Sequence, residues 1–203
     1  SNSVMVADPD GKIIYCNNSV LEMMRKAEAD LRKQLPNFRA DAILGSSFDI
    51  YHKNPAHQRN VLGSLKGVHR TEITVGDRYF SLVACPIINE TGERLGTAVE
   101  WRDRTAEVNI EQEVASIISS AASGDFSRRL DTDQMTGFFR QISDGINNLL
   151  EANSKAISDV AAMFARLAQG DLTQKIDSDY QGMLGMLKDD ANSTVDNLVQ
   201  IIS

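Results

Sequence analysis

One stretch of this chain is written twice. Gly124-Asp125-Phe126-Ser127-Arg128-Arg129-Leu130 returns as Gly170-Asp171-Leu172-Thr173-Gln174-Lys175-Ile176. A stripe of apolar residues precedes each copy: Val114, Ile117, Ile118 and Ala121, then Val160, Met163, Phe164 and Leu167. A second stripe follows each: Phe138, Phe139, Ile142 and Ile146, then Met183, Leu184, Leu187 and Ala191. Steps of three and four residues put each set on one side of an α-helix. Two helix–connector–helix units laid end to end cannot bury these stripes as one hairpin. They need further helices, most simply those of a second subunit. The Gly-Asp motifs are 46 residues apart (170 − 124), but Gly137 and Gly182 are 45 apart (182 − 137). The second connector is one residue shorter, so the two units need not pack alike. A helical rod behind a different N-terminal half suits a signal relay better than a catalyst.

The bulk composition narrows the function classes. The 203 residues, 42% hydrophobic and 24% charged, allow one or two globular domains. A net charge of −7 offers no basic face for nucleic acid. No apolar run reaches about 18 residues, so no membrane span is expected. No signal-peptide core is present either, and a cytoplasmic location is the expectation. Ile201-Ile202-Ser203 stops inside a helical pattern, so the chain reads as cut from a longer one. Cys16 and Cys85 lie far apart in predicted strands. They read as small buried hydrophobes in a reducing compartment, not as a disulfide. There is no Gly-rich phosphate loop with Lys, no Gly-x-Ser-x-Gly, no His-Glu-x-x-His and no kinase core, so no enzyme is expected.

The first hundred residues read differently. Val4–Ala7 and Lys12–Tyr15 are strands joined by the turn residues Asp8-Pro9-Asp10-Gly11. Asn17-Asn18-Ser19 caps a helix carrying Val20, Met23, Met24 and Ala27 inward, ended by Leu35-Pro36-Asn37. Asp41–Gly45 is a helical turn, and Phe48–Leu62 forms short helices broken at Pro55. Strands at Val68–Val75, Arg78–Ile87 and Arg94–Arg104 follow. On the last, Leu95, Thr97, Val99 and Trp101 share the inward face, opposite Glu100 and Arg102. The order implies an α+β domain, a five-stranded antiparallel sheet with helices on one face.

The opening Val6-Ala7-Asp8-Pro9-Asp10-Gly11-Lys12-Ile13-Ile14-Tyr15-Cys16-Asn17 and the closing Asp103-Arg104-Thr105 resemble a PAS domain over roughly residues 3–105. The repeats resemble two concatenated HAMP modules, which implies parallel four-helix bundles formed by dimerisation. The expected division is 1–105 for the sensor, 106–152 for the first HAMP module and 153–203 for the second. The resemblance implies that Asp103 and Thr105 relay a signal from sensor to helix.

The chain has three histidines, His52, His57 and His69. A neutral imidazole can serve as the one axial ligand of a haem iron. Without Cys-x-x-Cys-His, covalent c-type attachment is excluded. In these features the chain is similar to the soluble aerotaxis receptors of the methyl-accepting chemotaxis family, which hold b-type haem in a PAS domain. That resemblance implies His52 as proximal, metal-binding ligand, with His57 five positions later. It implies Trp101 as the indole donor to a bound gas and Leu82 on the distal side. The gas would be O2, with CO or NO as alternatives. The output would be a kinase complex of the CheA and CheW type reached through a C-terminal region. The residues alone leave His57 open as alternative ligand, propionate partner or surface residue. They leave Trp101 and Leu82 open as plain core, and His69 as an exposed strand start. A cofactor-free PAS module for dimerisation or interaction, in a receptor or histidine kinase, is the alternative reading. A flavin PAS is a third.

Overall fold

The computed structural model describes residues 2–52, 54–133 and 135–202. The chain divides into two compact units, Ser1–Asn109 and Ile110–Ser203.

In the first unit, β1 (Ser3–Ala7) and β2 (Ile13–Cys16) form the expected hairpin. Asn17 caps α1 (Asn18–Leu31) and does two jobs. Its Oδ1 accepts from Val20 N at 3.0 Å and from Val4 N at 3.0 Å, so the helix start is fastened to β1. α1 buries Val20, Met24, Ala27 and Leu31, a stripe at three- and four-residue steps. It ends at Leu31, before Pro36, because the backbone tightens there into turns closed by Lys33 N and Gln34 N. Two 3-10 turns, Ala40–Ala42 and Phe48–Tyr51, lead to α2 (Pro55–Ser64). Pro55 starts α2 rather than breaking it, since a first helical position needs no N–H.

β3 (His69–Val75), β4 (Arg78–Ile88) and β5 (Arg94–Asp103) complete an antiparallel sheet of order β2-β1-β5-β4-β3. This is a PAS fold. Its core lies between the sheet and α1, where Ile13, Val20, Met24, Leu31, Phe38, Ile43 and Phe80 are buried. One inward assignment fails: Leu95 is 48% exposed. The pairing shifts register between Ile87 and Ile88, opposite the start of β5, and the strict alternation from Thr97 to Trp101 does not extend back past it. Cys16 and Cys85 are free, and both are half-buried rather than buried.

The helical half consists of α3 (Thr105–Ala122), α4 (Gly137–Leu167) and α5 (Gly182–Ile202). The repeat is visible in three dimensions. Gly124 and Gly170 have φ of 88° and 81° and end their helices, with Asp125 N and Asp171 N returning to Ser120 O and Arg166 O. Asp125 Oδ1 accepts from Ser127 N and Oγ, and Asp171 Oδ1 accepts from Thr173 N and Oγ1. Ile117, Leu130 and Leu150 form one buried cluster. Met163, Ile176 and Val195 sit at the equivalent places of another, 46, 46 and 45 positions on (163 − 117, 176 − 130, 195 − 150). α4 runs unbroken through both repeats, carrying Leu150 in its first half and Met163 in its second. Other stripe residues face solvent in the single chain: Phe138 is 69% and Met183 85% exposed.

Candidate functional site

The sheet, α1, the 48–52 segment and α2 enclose a cavity of about 580 Å3. That lies within the range of about 300–1,000 Å3 seen in ligand sites. Its walls are mostly apolar: Met24, Leu31 and Phe38 on one side, Ile73, Phe80, Leu82 and Val99 on the sheet. Period-two alternation explains the sheet side. Phe80, Leu82 and Ala84 of β4 face inward together, as do Thr97, Val99 and Trp101 of β5.

All four residues singled out as cofactor contacts, His52, His57, Leu82 and Trp101, line this one cavity. Leu82 and Trp101 are direct cross-strand partners. Trp101 packs edge-on against Phe80 with ring centroids 5.7 Å apart. Its Nε1 is buried and has no hydrogen-bond partner. A buried donor in that state costs about 1–3 kcal/mol, and an acceptor inside the cavity would relieve it.

His52 closes the 3-10 turn at Phe48–Tyr51. Its Nδ1–H donates to Phe48 O at 2.7 Å, since a carbonyl can only accept. In the neutral imidazole the other nitrogen, Nε2, then carries the lone pair, the arrangement found in metal-ligating histidines. The imidazole also meets the Phe48 ring edge-on at 5.6 Å. His52 and His57 are both solvent-exposed as well as cavity-lining, which puts them at the mouth. Among the described residues no group of three or more His, Cys, Asp or Glu side chains could hold a metal ion. A single imidazole instead suits a metal that brings its other donors in a macrocycle. The apolar walls, the lone-pair nitrogen and the orphaned donor together fit such a group.

Two contributors were missed in the sequence. His69 is exposed, as expected, but it also lines the cavity. It shares a face of β3 with Thr71, Ile73 and Val75, and counting by twos from Ile73 would have found it. Arg78 was unremarked. Its Nε donates to Asp30 Oδ2 at 2.7 Å and its Nη1 to Asp103 Oδ2 at 3.1 Å. No local pattern announces a contact between residues 48 positions apart.

Asp103 and Thr105 form a compact motif at the start of α3. Asp103 Oδ1 accepts from Thr105 N at 2.9 Å and from Thr105 Oγ1 at 2.5 Å. Thr105 Oγ1 accepts in turn from Tyr79 N at 3.1 Å. The carboxyl of Asp30, at the other end of the Arg78 link, is held below its ordinary range by Lys33 and then by Arg78.

A HAMP-domain family model matches residues 134–200. The chain is 48% identical over 202 residues to the methyl-accepting chemotaxis protein McpB of Pseudomonas aeruginosa, a match covering all of this chain and 30% of that protein. The chain is thus a homologue of about a third of a methyl-accepting chemotaxis protein, with a PAS fold ahead of a HAMP helical region. Among solved structures, a PAS domain of the Aer2 receptor from Vibrio cholerae, described as a dual PAS-heme oxygen sensor, is 33% identical. It covers 51% of this chain and 94% of that one, with a TM-score of 0.47. A PAS domain from Colwellia psychrerythraea is 18% identical, covering 52% and 87%, with a TM-score of 0.39. No helix among the described residues is long and apolar enough to cross a membrane.

Proposed function

We propose that this chain is the sensing segment of a chemoreceptor and that it senses a diatomic gas, O2 first, through b-type haem held in the PAS cavity. The carrying observation is the buried, unpartnered Nε1–H of Trp101 in an apolar cavity that also holds His52. Haem, once bound, would supply an iron that takes up the gas. The protein would do the rest. His52 would hold the iron through Nε2, with Nδ1–H fixed on Phe48 O. Trp101 offers a donor and no acceptor, so it can hydrogen-bond a gas that gains negative charge but cannot itself ligate. O2 is such a gas and CO much less so. His57 and His69, at the mouth, can meet the acidic edge of the cofactor.

The signal then leaves along β5. Trp101 lies two residues before Asp103, and Thr105 begins α3. A small shift of β5 would be felt at the Asp103–Thr105 pair and passed to two HAMP modules, 106–152 and 153–203. In a dimer these would form parallel four-helix bundles that switch between discrete packings. The output would be a CheA- and CheW-type kinase complex in the cytoplasm.

Visible spectra of the haemin-loaded chain, ferric, reduced and O2-exposed, test this. A Soret band that shifts with O2 is expected. His52→Ala should lose that band, and Trp101→Leu should keep it but release O2 faster and autoxidise sooner. A chain that takes up no haemin leaves a PAS interaction module instead.

A further inference from the structure

Helix α2 forms one wall of the cavity yet buries none of its own residues. His57, Gln58, Val61 and Leu62, spaced along one of its faces, line the cavity. A ten-residue helix with so little burial is marginal unless something else holds it.

Two arginines do. At mid-helix, Arg59 makes a forked ion pair with Asp49: Nε at 3.0 and 3.1 Å, Nη2 at 2.6 Å. At its C-terminus, Arg94 of β5 reaches carbonyls at the helix end. Nη1 donates to Gly63 O at 3.3 Å and to Leu65 O at 3.2 Å, and Nη2 donates to Thr97 Oγ1 at 2.9 Å. The ties differ in kind. Asp49 belongs to the segment leading into α2, so Arg59 holds the helix to its own approach. Arg94 holds it to the sheet. Through Thr97, 5% exposed and itself a lining residue, that hold reaches the opposite wall of the cavity.

We propose that α2 is the gate of the cavity and that Arg94 is the positioning residue that latches it shut. This rests on the cavity being a ligand site, whichever ligand occupies it. With the latch open, the C-terminal end of α2 swings free while the Arg59–Asp49 pair keeps the first half in place. The side chains at risk are then Val61 and Leu62, ahead of His57.

Hydrogen–deuterium exchange on the whole chain without added ligand tests the latch. In Arg94→Gln, amides of 59–65 are expected to exchange roughly tenfold faster, the equivalent of about 1.4 kcal/mol. Arg94→Lys should fall between, and α1 amides should keep their protection. Unchanged exchange in α2, or equal loosening of α1, overturns the proposal. Haemin release into excess apomyoglobin tests the gate. It should quicken in Arg94→Gln with the Soret spectrum unchanged. Faster exchange with an unchanged release rate overturns the gating role. If the chain takes up no haemin, the haem reading fails by itself, and the exchange result still decides the latch.

Discussion

At the residue scale, two asparagines show how a side chain can stand in for a missing strand. Asn147 Oδ1 accepts from Leu130 N at 2.9 Å and its Nδ2 donates to Leu130 O at 3.0 Å. Asn192 does the same for Ile176, at 2.9 Å on both sides. Each connector thus has its apolar anchor, Leu130 or Ile176, pinned by backbone as well as burial. Only an amide can both give and accept here. Asn192→Ala and Asn147→Ala should each cost about 1–3 kcal/mol in denaturant melts, since a half-buried backbone N–H loses its partner. Asn→Asp should fail to rescue, because a carboxylate accepts at one side and cannot donate at the other. The same accounting gives Trp101 its weight: among the described residues its N–H is the buried side-chain donor left over, and an acceptor in the cavity would satisfy it.

At the element scale, the glycines are not equivalent. Gly124 sits at φ 88° with nothing near where a Cβ would go, so Gly124→Ala should cost about 1–2 kcal/mol of left-handed strain. Gly96 lies in β5, and a Cβ there would stand 2.3 Å from Ala7 O. Gly96→Ala should cost more, because the β1–β5 backbone itself must move. Thermal melts of both variants order them. The second connector carries a further device. Asp159 Oδ2 accepts from Tyr180 Oη at 2.6 Å and from Ser178 Oγ at 2.8 Å, with Lys155 donating to Ser178 at 2.7 Å. The Tyr180 hydroxyl, then the Ser178 hydroxyl, pull the Asp159 carboxyl below its usual 3.8. A depressed folded-state value means that its stabilisation is complete above pH 3.8 and is lost as pH falls through the lower folded value. Asp159→Asn should therefore lower the melting temperature at neutral pH and converge on the parent in strong acid.

At the scale of the whole molecule, the exposed apolar residues need a cover. Phe138, Met183, Met186 and Ile118 are each more than half exposed in the single chain. They belong to helical stripes whose other members, such as Ile117, Ala191 and Val195, are buried. A second copy of the chain supplies matching stripes, so the chain should sediment as a dimer. Phe138→Glu with Met183→Glu should shift it to monomer while the secondary structure seen by circular dichroism is unchanged. A dimer that survives both charges would mean that the PAS unit, not the helical region, holds the copies together.

The sequence by itself determined the parts and their order. Periods of two and of three to four residues, Asn17, the Asp8–Gly11 turn and the Gly-Asp repeat are local signals, and each became the expected element. Local signals also placed Trp101 inward and His52 before β3. They misjudged Leu95, because it is the extra residue of a bulge, between Arg94 opposite Ile88 and Gly96 opposite Ile87, and that pairing is not written in its spacing. What the tertiary structure alone decided is convergence. That His52, His57 and His69 line one cavity depends on how three elements meet. So do the orphaned Nε1 of Trp101, the lone pair left on His52 and the reach of Arg94 to the end of α2. Such contacts join residues far apart in the chain, and no spacing along it can encode them.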